Sequence, residues 1–282
     1  MRTILFPTDF SEIANNAFVY ALNIAKSIDA KIYVLYSFLE PVLSATHAGQ
    51  PELLGEVYQT IELDQFEVFR KKSQRLHEIA ERENLSDVEL IFLFEEGPLP
   101  FVVQRLVQKE KFNLIVMGTH GESGFLSKVI GTNTVDVIKN VQNPVLAIPP
   151  HAKFQGLNKA AFTTLFRDKD KSALKEMLIM ANATGSKIDC VHVIKSETVD
   201  QVLLHTEAWK HEFPNEDINY VLLDEVESVE NTITTYLLEN NIDIFAVVKR
   251  NRNWFDRLFS NSISNNLAFH SKVPILVFHE ER

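Results

Sequence analysis

Two segments of this chain can be laid over one another without gaps, and that repetition limits the folds open to it more than any other feature. IDAKIYVLYSF, beginning at Ile28, lies over TGSKIDCVHVI at an offset of 156 residues, while NLIVM and NPVLAI lie over DIFAV and VPILVF at an offset of 130. The difference, 156 minus 130, means that the second copy lacks 26 residues, mostly between its second and third strands. A tandem duplication with one shortened copy is expected.

Within each copy, short β-rich runs alternate with stretches of helical period. The first copy reads TILF, a helix opening near Ser11, KIYVLYSF, a long helix over 52–83, VELIFLF, a helix over 99–110, NLIVMG, a helix from about 132, and PVLAI. TILF and LIVM are apolar at successive positions, as strands covered on both faces should be. Ala14, Ala17, Phe18, Ala21 and Ala25 recur at helical steps and define one packed face, with Ser11 as its N-cap. Residues 149–158, PPHAKFQGLN, read as a linker. After it come AAFTTLF, a helix through SALKEMLIMANA, KIDCVHV, a helix over 198–212, INYVLL, a helix over 226–240, IDIFAVV, a helix over 260–271, and PILVF. The expected fold class is α/β: two tandem open parallel five-stranded sheets with helices on both faces, in domains 1–150 and 151–282.

The 38 acidic against 28 basic residues leave a formal charge of -10, which argues against general attraction to nucleic acid or an anionic membrane. A polyanion would have to be bound locally. The opening MRTILFPTDFSE has too short an apolar core for a signal peptide, and no run approaches the roughly 18 apolar residues of a membrane helix. Cys190 is the only cysteine, so an intramolecular disulfide and a CxxC metal site are both excluded. A cytoplasmic protein is expected.

Four of the chain's 9 glycines fall in GTHGESGFLSKVIGT, residues 118–132, directly after the apolar run NLIVM. A loop leaving a strand of an open parallel sheet and entering a helix can aim backbone N–H groups at phosphate, provided no Cβ obstructs the approach. Thr132 and Thr134 would add hydroxyls at the helix's first turn. The pattern is not GxxxxGK[ST], because Lys128 is followed by Val129, and PTDFSE replaces any GxGxxG after the first strand. It is Gly118-x2-Gly121-x9-Gly131-Thr132. With PTDFSE and the EEGPLP that follows the third strand, it resembles the universal stress protein family in its ATP-binding branch, closely over residues 1–150 and more loosely beyond. The resemblance implies ATP as ligand, with Mg2+ as the candidate companion ion. It implies that Pro7, Thr8, Asp9 and backbone near Ser37 hold the adenosine portion. Met117, Gly118, Gly121, Gly131, Thr132, Asn133 and Thr134 would hold ribose and phosphates. Asn133 departs from the small apolar residue the family has between the two hydroxyl positions.

No catalytic residue emerges. His120 has no identifiable nucleophile or acid paired with it, His205 and His211 do not make a metal motif, and Cys190 reads as a small buried hydrophobe. In the second copy Val248, Asn251, Asn261 and Ser262 replace Gly118, Gly121, Gly131 and Thr132, and no acid follows the first strand near Thr164 and Leu165. Lys249, Arg250, Arg252 and Arg257 read as a solvated basic loop, with Trp254 and Phe255 packing inward. The expected protein is therefore a regulatory or sensor module of stress response with one ATP per chain and an unidentified protein partner. The competing readings are a slow Mg2+-dependent ATPase or phosphotransfer enzyme and a nucleotide-free interaction scaffold. The family also forms dimers through its last strands, so PVLAI and PILVF are expected to pair within the chain as a pseudo-dimer, with a homodimer as the further option.

Overall fold

In the computed structural model residues 2–39, 51–119, 132–194, 199–214, 216–250 and 272–280 are described, with backbone alone for 51–59. The first copy forms β1 (Arg2–Pro7), α1 (Glu12–Ile28), β2 (Ala30–Phe38), α2 (Pro51–Arg82), β3 (Leu90–Glu96), α3 (Leu99–Lys109), β4 (Leu114–Gly118), α4 (Thr132–Asn140) and β5 (Val145–Ile148). The second forms β6 (Lys159–Thr163), α5 (Lys171–Thr184), β7 (Lys187–Ile194), α6 (Val199–Glu212), β8 (Ile218–Asp224), α7 (Val229–Glu239), β9 (Ile244–Lys249) and β10 (Ile275–His279). The helix expected over 260–271 lies outside the described residues. The shortening of the second copy is visible in α2, which has 32 residues against 14 in α6.

The strands form the two parallel five-stranded sets expected from the sequence, and the expected pairing of PVLAI with PILVF joins them edge to edge. They form one ten-stranded sheet in the order β3-β2-β1-β4-β5-β10-β9-β6-β7-β8. Each half is parallel throughout, and the last strands of the halves join antiparallel, with Ile275, Leu276 and Val277 opposite Ala147, Leu146 and Val145. All six are buried. An open strand edge presents unpaired backbone donors and acceptors, and here each half satisfies the other's.

Alternate residues along β1 enter opposite cores. Ile4 and Phe6 pack with α1, and Leu5 packs on the other face with residues of α3 and α4. All five of the α1 residues assigned to its packed face are buried. Ser11 caps that helix, its hydroxyl accepting from Ala14 N–H at 3.2 Å. The helix ends at Asp29 with φ 51°, and α5 ends 156 residues later at Gly185 with φ 73°, so the left-handed cap is repeated along with the strands. The start is not repeated. Residues 168–170 form a 3-10 turn where α1 has its first turn, and Arg167, at the position of Ser11, makes no side-chain cap bond. Ser11→Ala should therefore cost about 1 kcal/mol of stability, while Arg167→Ala should cost close to nothing, as read by urea denaturation of the whole chain.

Candidate nucleotide site at the sheet switch point

β1 lies between β2 and β4, so strand order reverses there, and the carboxyl ends of β1 and β4 border the crevice in which open α/β sheets hold ligands. A fixed turn carries Asp9 to that crevice. Thr8 N–H donates to Leu35 O at 2.8 Å, anchoring the turn to β2. The Thr8 hydroxyl accepts from Phe10 N–H at 2.9 Å, and Asp9 Oδ1 accepts from Ser11 N–H at 3.0 Å. Phe10 takes φ 61°, which turns the chain sharply into α1. Pro7 and Thr8 are buried, and Asp9 is half-buried. Ser37 stands near the end of β2 in register with Glu95 of β3, also half-buried.

From the other side, β4 delivers buried Met117 and then Gly118. A Cβ on Gly118 would lie 3.1 Å from Ile13 Cγ2 and 3.3 Å from Ile13 O, so a side chain here would oblige α1 to give by a few tenths of an ångström. That tightness is independent of any phosphate. The Thr134 hydroxyl, expected to serve a ligand, donates to Gly118 O at 2.9 Å and is buried. Its proton is committed to tying α4 to the end of β4. Thr132 and Asn133 are exposed in the first turn of α4, where backbone N–H groups lack intrahelical acceptors. The structure thus gathers Pro7, Thr8, Asp9, Ser37, Met117, Gly118, Thr132, Asn133 and Thr134 from one sheet edge. His120, Gly121 and Gly131 lie outside the described residues.

The model of the universal stress protein family matches residues 1–149. The chain belongs to that family. A curated universal stress protein of Methanocaldococcus jannaschii is 30% identical over 148 residues, covering 52% of this chain and 81% of the relative. A universal stress protein from Archaeoglobus fulgidus has a similar fold over the full length: TM-score 0.68, 16% identity, 99% of this chain and 98% of that one. A Pseudomonas aeruginosa protein described as a universal stress protein follows with TM-score 0.61 and 11% identity, over 99% and 94% of the two chains. Among the described residues no helix is long and apolar enough to cross a membrane, and no group of three His, Cys, Asp or Glu could hold a metal ion.

In the second half of this universal stress protein the β1 turn is rebuilt. Thr164 N–H donates to Val191 O at 3.1 Å, the Thr164 hydroxyl accepts from Phe166 N–H at 2.8 Å, and Phe166 takes φ 54°. Leu165 stands where Asp9 stood. An acid nevertheless arrives, from the 3-10 turn: Asp170 Oδ2 accepts from the Thr164 hydroxyl at 2.9 Å and from Leu165 N–H at 3.1 Å. Asp170 is 0% exposed and is paired with Arg250, whose Nε donates to Oδ1 at 3.2 Å and whose Nη2 donates to Oδ2. Two sequence expectations are thereby corrected. Arg250 is not part of a solvated basic loop, because it neutralises a fully buried carboxylate; nor is Lys249, whose ammonium donates to Ile138 O of α4 at 3.0 Å. Asp170 lies five positions after Leu165 in a region without a regular α-helix, so spacing alone gave no sign of the contact. Asn251, Arg252, Trp254, Phe255, Arg257, Asn261 and Ser262 lie outside the described residues.

Val248 occupies the position of Gly118 and is buried. By repeat offset Lys169, within the 3-10 turn, stands at the position of helical Ile13. Burial holds the His192 imidazole below its ordinary range; its Nδ1 lies 2.8 Å from Thr164 O. Burial likewise pushes the Cys190 thiol up, in keeping with an inert core residue.

Removing one member of the buried pair strands the other. Arg250→Met should cost about 3–5 kcal/mol, and adding Asp170→Asn to it should recover a large part, as measured by denaturant titration. His279 makes a second, pH-dependent prediction. Burial, with the Lys249 ammonium as a smaller cause, pushes it down to about 4 from its ordinary 6.5, and its Nε2 has no hydrogen-bond partner among the described residues. The folded protein keeps the ring neutral where the unfolded chain protonates it. Its contribution to stability is therefore present above pH 6.5 and lost as pH falls from 6.5 towards 4. His279→Gln should flatten that part of the stability profile, read by thermal denaturation at stepped pH.

Proposed function

We propose that residues 1–150 form a nucleotide-binding domain that takes ATP as a regulatory or sensor ligand in stress response. Residues 151–282 form a second domain that has exchanged the ligand for an internal ion pair. The observation that carries this reading is the convergence, at one switch point, of the Asp9 turn with the exposed first turn of α4. The two ends suit the two ends of a nucleotide. A half-buried carboxylate accepts hydrogen bonds from adenosine's hydroxyl or amino groups, and a helix N-terminus with Thr132 and Asn133 suits phosphate. Ser37 and Pro7 border the adenosine end, and Gly121 and Gly131 extend the phosphate end by the family pattern. Mg2+ would accompany the phosphates. With a net charge of -10, such local donors are the means by which this chain can hold a polyanion.

Support for a single site comes from the second half, where Leu165 replaces the acid, Val248 replaces Gly118, and Arg250 satisfies Asp170 internally. The second domain then serves as structural partner and platform for a protein ligand, in the cytoplasm.

Titration calorimetry of the whole chain should give one ATP per chain. Asp9→Ala should weaken ATP by about 1–3 kcal/mol while weakening inorganic triphosphate less. Gly131→Val should abolish binding with the circular dichroism spectrum unchanged. Two equivalent sites, or unaltered ATP affinity in both folded variants, would overturn the proposal.

A further inference from the structure

A cleft of about 390 Å3 opens at the amino ends of β1 and β4, the opposite sheet edge from Asp9 and Gly118. It belongs to neither half. Ile28 of α1 lines it from the first half and Ile179 and Met180 of α5 from the second, over a floor of buried Ile24, Phe112, Met177 and Phe278. Its volume is in the range of small-molecule sites, which run from roughly 300 to 1,000 Å3 with mainly apolar walls and a few polar groups. Water gains little from such walls, and an apolar body placed there would be removed from water on several sides.

Two of the polar lining groups are cations. Arg2 and Lys111 both border the cleft. Among the described residues the Arg2 guanidinium makes one hydrogen bond, a long one of 3.4 Å to Ile28 O. Neither side chain has a carboxylate partner among the described residues, although acids outnumber bases 38 to 28 in the chain. Glu176, on the α5 side, is the acid of the lining. An occupant matching this surface has an apolar body and an anionic head, the apolar part against α1 and α5 and the head at Arg2 and Lys111.

We propose that this cleft between the halves binds a single-tailed amphiphilic carboxylate, of the fatty-acid type. Because its walls come from both halves, a bound molecule bridges them and stabilises their apposition by mass action. The proposal is independent of the nucleotide reading, since none of its residues belongs to that site.

Decanoate below its micelle concentration is the probe, titrated into the whole chain by calorimetry, with decanol and decyltrimethylammonium as comparators. One saturable decanoate per chain is expected, with a raised melting temperature and at least tenfold weaker binding of both comparators. Arg2→Gln combined with Lys111→Gln should weaken decanoate at least tenfold and leave decanol unaffected. Ile179→Trp, at a lining position of α5 that is 48% exposed, should fill the cleft and remove binding without disturbing the core. Absence of saturable decanoate binding would overturn the proposal. So would decanol or the cationic amphiphile binding as tightly as decanoate, or unchanged decanoate affinity in either folded variant.

Discussion

When β5 and β10 pair antiparallel, each strand's exposed edge becomes the other's partner, and every larger feature of the molecule follows from that ladder. A five-stranded half standing alone would leave the backbone groups of Val145, Leu146 and Ala147 open to any other strand. Pairing with Ile275, Leu276 and Val277 closes that edge inside an apolar environment, where an unmade backbone hydrogen bond is most costly. The antiparallel sense also orients the halves. Their carboxyl edges face opposite ways, so the Asp9 crevice and the Asp170–Arg250 pair lie on opposite edges of one sheet. The cleft lined by Arg2 and Lys111 exists because the amino edge of the first half meets α5 and β10 of the second.

The two halves show how a copied frame can keep its geometry while losing a site. Thr8 and Thr164 make the same turn, with the same anchoring bond to the neighbouring strand and the same left-handed phenylalanine two residues on. What differs is how the space beyond the turn is filled. In the first half Gly118 lets α1 come within contact of β4, and Asp9 remains at the crevice. In the second, Val248 stands in place of the glycine, a 3-10 turn precedes the helix, and Asp170 comes in with Arg250 to satisfy it. A buried charge is tolerable only when paired and hydrogen-bonded, and Asp170 has donors on both oxygens.

Much of this was legible in the sequence. Short β-rich runs located all ten strands, and offsets of 156 and 130 matched six of them in pairs, because a strand covered on both faces is apolar at successive positions. The face of α1 and its Ser11 cap followed from helical spacing, and the family pattern pointed to the turn at Asp9 and the end of β4. The reading of Thr134 as a free donor did not survive, since its partner, Gly118 O, is 16 residues away across a loop. Gly118 itself was read for a ligand, and the structure adds a packing reason that no local pattern carries.

The sequence by itself determined the repeat, the strand and helix order and which residues are apolar, because these depend on periodicity and near neighbours. The tertiary structure alone decided that Arg250 and Lys249 turn inward and that a cleft lined by cations opens between the halves. Each of those outcomes joins residues far apart in the chain, such as Asp170 with Arg250 or Lys249 with Ile138, which meet only after the strands have paired. Hydrogen bonding and charge neutralisation act on distance in space, and sequence spacing does not record it.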